Sequence, residues 1–196
     1  MITEQLAEAY PDYEIEDRSV AIAALPTWVW VLALALVVIP LILYRIIGGS
    51  LSTGWLWLVW TLVLLLMHEG THAVAWKLAS GLPWSSFKFG IQWKTVTPYC
   101  HSIHPMGVQP YRIGAAMPLL LTGILPWIIG YILRDAELIL ASAVLISGAA
   151  GDIYILWAIR DLPDHVLLQD HDTQAGCVAL WPKRGPDQPP NLNNNQ

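Results

Sequence analysis

Two histidines and a glutamate occur in the string His68-Glu69-Gly70-Thr71-His72, an H-E-x-x-H spacing. On a helix, positions four apart share a face, so both imidazoles can reach one cation. Glu69 stands beside them, placed to act as a general base toward water. The string is flanked by Trp55 to Met67 and by Ala73-Val-Ala-Trp, all helix-compatible apolar sequence. Two imidazoles do not complete a catalytic zinc site, which takes three protein ligands and leaves one position open. Asp152 is the only acid inside another long apolar run, which makes it the candidate third ligand. Ionisable groups at such positions are costly and mark functional sites by default.

These residues need helices to hold them, and four apolar runs are long enough to cross a bilayer, which takes about 20 residues each. They cover Thr27 to Ile47, Gly54 to Ala79, Ile113 to Leu133 and Leu138 to Ile159. The second and fourth run in the same direction. His68 lies about 12 residues before the end of its run and Asp152 about 8 before Arg160, a depth difference of roughly 6 Å, so His72 is nearly level with Asp152. Pro118 and Pro126 should kink or open the third helix. Ser147 and Gly151 have the small-xxx-small spacing of close helix contact, and Gly148 with Gly151 should let the fourth helix approach the second.

The rest of the chain fits an all-α membrane protein: about four transmembrane helices with a short strand-like loop between the second and third. Hydrophobic residues make up 55% of the 196 and charged residues 13%, with 11 Trp. Soluble domains carry about 25% charge, and Trp collects at membrane interfaces. A net charge of -5 and no basic patch argue against a nucleic-acid partner. The division read from the sequence is an acidic N-terminal tail (1–26), a four-helix transmembrane domain that carries the candidate metal ligands (27–159) and a C-terminal tail (160–196), whose last part has the composition of a disordered segment. Arg18, Lys77, Lys88, Lys94, Arg112, Arg160, Lys183 and Arg184 fall on one side of the four spans, against Arg45 and Arg134 on the other. That asymmetry predicts both termini on the cytoplasmic side of a multi-pass protein in a prokaryotic plasma membrane.

Between the second and third spans, Ser86 to Thr97 alternates imperfectly and reads as a short strand pair at the membrane surface. Such a pair can take an extended substrate by edge addition, in which case proline at Ile91 or Trp93 should weaken cleavage. Cys100, His101 and His104 form a compact set in the same loop, read either as ordinary polar loop residues or as a lid or inhibitory ligand near the metal. Asp170, His171 and Asp172 read as a turn or cap, with a surface ion site as the other reading. Cys100 and Cys177 are too few for a disulfide framework.

His68-Glu-Gly-Thr-His72 in one span, a proline-bearing span, and Gly151-Asp152 in a later span resemble site-2 protease-type intramembrane metalloproteases. The chain resembles more closely the putative zincin peptidase family of small four-span membrane proteins, through Tyr111-Arg112 before Pro118, Gly151-Asp152, and Asp170-His171 with Gly176. The likeness runs from Gly54 to Gly176. It departs from the site-2 pattern in that Gly precedes Asp152 and Ile153 follows, and in Gly70-Thr71 between the paired residues. The resemblance implies a metalloendopeptidase holding one Zn²⁺ through His68, His72 and Asp152, with Glu69 as base. Its implied partners are membrane lipid and membrane-embedded or membrane-adjacent protein substrates. Two other classes fit the same residues: a non-catalytic membrane scaffold with a structural metal, and a small proton or metal transporter subunit. Glu69 separates them, because hydrolysis needs a carboxylate between two ligands and the others do not. A transporter should also show paired interrupted spans in repeated halves, and none is visible. Substrate, cleavage position, regulation and oligomeric state are not legible in the residues.

Overall fold

A computed structural model describes residues 2–93, 97–171 and 173–183. Four helices are long and apolar enough to cross a membrane, as an integral membrane protein requires: Thr27–Ile46, Leu56–Ser80, Val108–Leu133 and Ala136–Ala158. The first is α2 (Thr27–Ile46) and the second α3 (Leu56–Ser80). Helix α3 stops at Gly81, which takes the left-handed conformation (φ 75°) that a side chain resists. A short helix, α1 (Ile2–Ala9), precedes them.

The third span is not uniform. It consists of α4 (Val108–Pro118), a π-helical segment over Leu119–Ile124, and α5 (Leu125–Leu133). The two prolines bracket this widened turn, so the local opening expected from Pro118 and Pro126 takes the form of a π segment, which is common at functional sites. The fourth span is α6 (Ala136–Gly148) and α7 (Ala150–Ala158), separated by a turn at Ala149. Asp135 caps α6 by accepting from the backbone N–H groups of Glu137 and Leu138.

Close helix contact comes from other glycines than those the sequence suggested. A Cβ on Gly148 or Gly151 would meet nothing within 4 Å, so neither lies against a helix. Gly114 instead lies directly under the Trp76 ring, where a Cβ has no room, and this sets the approach of α4 to α3. Ser147 does touch a neighbour, donating to the Ala33 carbonyl of α2 at 2.8 Å.

A strand pair is present but extends past the expected stretch: β2 (Phe87–Gln92) falls within it, whereas its antiparallel partner β3 (Thr97–Ser102) begins at its last residue, with Phe89 opposite Cys100. A second sheet was not anticipated. It has the order β1-β6-β5-β4, built from β1 (Tyr13–Asp17), β4 (Met106–Gly107), β5 (Leu167–Asp170) and β6 (Cys177–Pro182). The N-terminal region, the second connection and the C-terminal region thus share one sheet at one end of the helices, as four crossings demand. Leu168, Cys177 and Ala179 of this sheet pack into the same core as Trp76, Tyr111 and Ile159. The tail from Gly185, read as disordered, lies outside the described residues, as does Asp172.

Candidate metal centre

His68 and His72 lie one turn apart on the buried face of α3, and Asp152 lies in the first turn of α7. His68 Nε2 is 3.2 Å from Asp152 Oδ2, and His72 Nε2 is 3.6 Å from Asp152 Oδ1. One ligand atom from each of the three residues falls within 4.8 Å of the others, and no other such group occurs among the described residues. Ligands at about 2.0–2.2 Å from a tetrahedral centre lie roughly 3.4 Å apart, and the two imidazole contacts, one to each carboxylate oxygen, are of that order.

The far sides of the two rings settle what the near sides offer. His72 Nδ1 is 3.0 Å from the Gly114 carbonyl, which can only accept, so Nδ1 carries the proton. The Gly114 carbonyl is available because residue 118, four positions on, is proline and donates no helical N–H. His68 Nδ1 is 3.2 Å from Thr122 Oγ1, whose hydroxyl proton is already given to the Pro118 carbonyl at 2.8 Å. Thr122 therefore accepts from His68 Nδ1. Both imidazoles are held as Nδ1–H tautomers, and both Nε2 lone pairs aim at the Asp152 carboxylate. Asp152 Oδ2 is enclosed and receives no hydrogen bond. Three acceptors converging with no donor among them are an arrangement that a cation relieves, and two imidazoles with one carboxylate are a zinc-type donor set.

Supporting contacts fix the frame. Trp76 stacks on His72 (centroids 5.1 Å apart) and donates its indole N–H to the Tyr111 carbonyl at 3.2 Å. Arg112 donates to the carbonyls of Ile159, Arg160 and Leu162, closing the C-terminal end of the helix that carries Asp152. The Tyr111-Arg112 pair thus braces both metal-bearing helices from α4.

A cavity of 220 Å³ opens from the three ligands, lined also by Glu69, Cys100, His101, Tyr111, Gly148, Asp170 and Gly176. Strand β3 borders it. Ile103 N–H pairs with the Ser86 carbonyl, which puts the N–H groups of Ser102, Cys100 and position 98 on the outer edge, away from β2. Ser102 N–H donates to Asp170 Oδ2 at 2.7 Å, Pro98 has no N–H, and Cys100 lines the same cavity as Glu69. The strand edge that meets the site therefore belongs to β3, and the Asp170 carboxylate caps one of its donors.

Of the loop residues singled out from sequence, Cys100 and His101 reach the cavity, His101 stacked on Tyr99. His104 is exposed on another side of the sheet, so the three do not form one cluster. Ile91 lies outside this cavity on β2, and Trp93 is 76% exposed beyond the strand. Asp170 is no surface residue: it is buried, accepting from Ser102 and from the Tyr111 hydroxyl. Burial pushes its carboxyl up to about 7, more than these two hydrogen bonds pull it down. His171 does close a turn, its Nδ1 accepting from the N–H groups of Thr173 and Gln174. Sequence reasoning missed Thr122 and the Gly114 carbonyl. The signal for Gly114 was the proline four residues later.

Two imidazoles and a carboxylate gathered on helices long and apolar enough to cross a membrane form a zinc-type donor set. The sequence model of the Putative zincin peptidase family matches residues 61–167, and the chain belongs to that family, which places it among metallopeptidases. No curated protein and no solved structure matches the chain.

Proposed function

We propose that this protein is a zinc-dependent endopeptidase that cuts membrane-embedded or membrane-adjacent proteins near the cytoplasmic face of a prokaryotic membrane. The observation that carries this reading is the convergence of two Nε2 lone pairs and the Asp152 carboxylate beside Glu69. His68, His72 and Asp152 would hold one ion. When bound, zinc activates water and polarises a scissile carbonyl. Glu69 takes the proton from the attacking water and later delivers it to the leaving amine. The excess of basic residues on the sheet-bearing side supports a cytoplasmic position for that side.

The substrate must be extended at the cut, because a helical peptide bond is enclosed by its own hydrogen bonds. The outer edge of β3 is the natural place for such a segment. A peptide carbonyl that pairs with Cys100 N–H lies in the cavity that Glu69 also lines, beside the base. A structural metal or a transport site gives no reason for a carboxylate opening onto the same cavity as the ligands.

The test is cleavage of membrane-tethered peptide reporters by the purified, zinc-loaded protein in nanodiscs. Wild type should cut and Glu69→Gln should not, while holding the same amount of zinc. Equal cleavage by the two would remove Glu69 from the chemistry.

A further inference from the structure

Two cavities meet at Glu69. Beyond the metal cavity, a second space of 470 Å³ runs between α3 and the β2–β3 hairpin. One wall is Leu62, Leu65 and Leu66, which with Glu69 fall at the i, i+3, i+4 and i+7 positions of a single helix face. The other wall is Phe89, Ile91 and Tyr99. Gly90 makes this wall possible: the Tyr99 ring lies where a Cβ would sit. Glu69, Pro98 and Tyr99 line both spaces, so the second adjoins the site.

The lining changes from apolar to ionisable between Leu66 and Glu69, over about 4.5 Å of helix. Leu62 and Leu66 are 58% and 59% exposed on a membrane-spanning helix, so the groove opens toward lipid at its far end. Its volume is within the range of about 300–1,000 Å³ typical of spaces that hold a ligand. A peptide placed for Glu69 to work on its scissile bond carries a side chain on each side of that bond, and this groove is an apolar space that adjoins the site at Glu69. The inner end of the groove is the Glu69 carboxylate, an acceptor that a peptide N–H satisfies and a lipid acyl chain does not.

We propose that this groove is the specificity subsite of the peptidase, taking one large apolar side chain from the residue adjoining the scissile bond. The inference rests on the peptidase reading and adds the substrate class: sequences in which a leucine- or phenylalanine-sized residue borders the cut, at the point where an apolar segment gives way to a polar one. Leu66 and Ile91 set the width of the subsite from opposite walls.

The test uses the full-length, zinc-loaded protein in nanodiscs and fluorogenic peptides that differ only at the two residues flanking the cut. At one of these positions, Leu or Phe should exceed Ser or Lys by at least about tenfold in kcat/KM, the scale of pocket discrimination. Leu66→Trp should narrow the groove and reverse the order, favouring Ala over Phe. Ile91→Trp should do the same from the other wall if Leu66→Trp does not fold. Leu34→Trp, on the exposed face of α2 away from both cavities, should leave the preference unchanged. Glu69→Gln should bind the uncut peptides in the same rank order. A protein that cleaves without preference at either position, or whose preference survives both Trp variants, would overturn the inference, leaving the groove to lipid and the peptidase reading intact. Failure to cleave any peptide would overturn the peptidase reading, and this inference with it.

Discussion

Thr122 Oγ1 lies 3.2 Å from His68 Nδ1 and has already given its own proton to the Pro118 carbonyl. A hydroxyl on the third span thereby decides which nitrogen of a histidine on the second faces the cation. The same logic runs through Gly114 and His72, so the π segment and the proline before it orient the rings of the candidate metal site.

Thr122→Val keeps the shape and removes the acceptor, leaving a buried His68 Nδ1–H unpaired. Outer contacts of this kind are worth about 10–100-fold in metal affinity. Zinc affinity, measured by competition with a chelator, should fall by that factor, and Thr122→Ser should restore it. Wild-type affinity in Thr122→Val would show that the hydroxyl does not orient the ring.

Pro118→Ala returns an N–H to position 118, which then competes with His72 for the Gly114 carbonyl. Zinc affinity should drop several-fold while the helix itself gains stability, since proline is unfavourable inside a helix by about 3 kcal/mol. A melting temperature that rises together with unchanged zinc affinity would separate the proline from the site.

Asp170 supplies a pH dependence with a definite sign. Its folded value of about 7 lies above the ordinary 3.8, so the folded protein keeps a proton that the unfolded chain releases. The stabilisation is complete below about pH 4 and is lost as pH rises through about 7. Thermal melts of wild type should therefore decline from pH 5 to pH 8 relative to Asp170→Asn, by an amount on the order of a few kcal/mol. Parallel curves for the two proteins would show that Asp170 does not carry the buried proton.

Most of the site was legible because its residues break the pattern around them. His68, Glu69, His72 and Asp152 are ionisable groups in otherwise apolar runs, and helix rise alone put His72 level with Asp152. The strand pair showed in the alternation around Phe89. The second sheet did not, because β5 is four residues long and β1, Tyr13–Asp17, is mostly acidic and gains its apolar cover from α1, β5 and β6, far from it in sequence or outside its own alternation. Gly148 and Gly151 suggested helix contact by spacing, yet Gly148 borders the open metal cavity. Spacing states which residues share a face and not what lies opposite. Asp170 was read as a turn residue because nothing in its neighbourhood in sequence announces Tyr111 or Ser102.

The most direct test is zinc content of purified full-length protein, wild type beside His72→Ala, Asp152→Ala and Glu69→Gln. Wild type and Glu69→Gln should each carry close to one zinc per chain, and the two ligand variants should lose most of it. Full retention of zinc in Asp152→Ala would contradict the account, because the carboxylate would then not be what joins the fourth helix to the paired histidines.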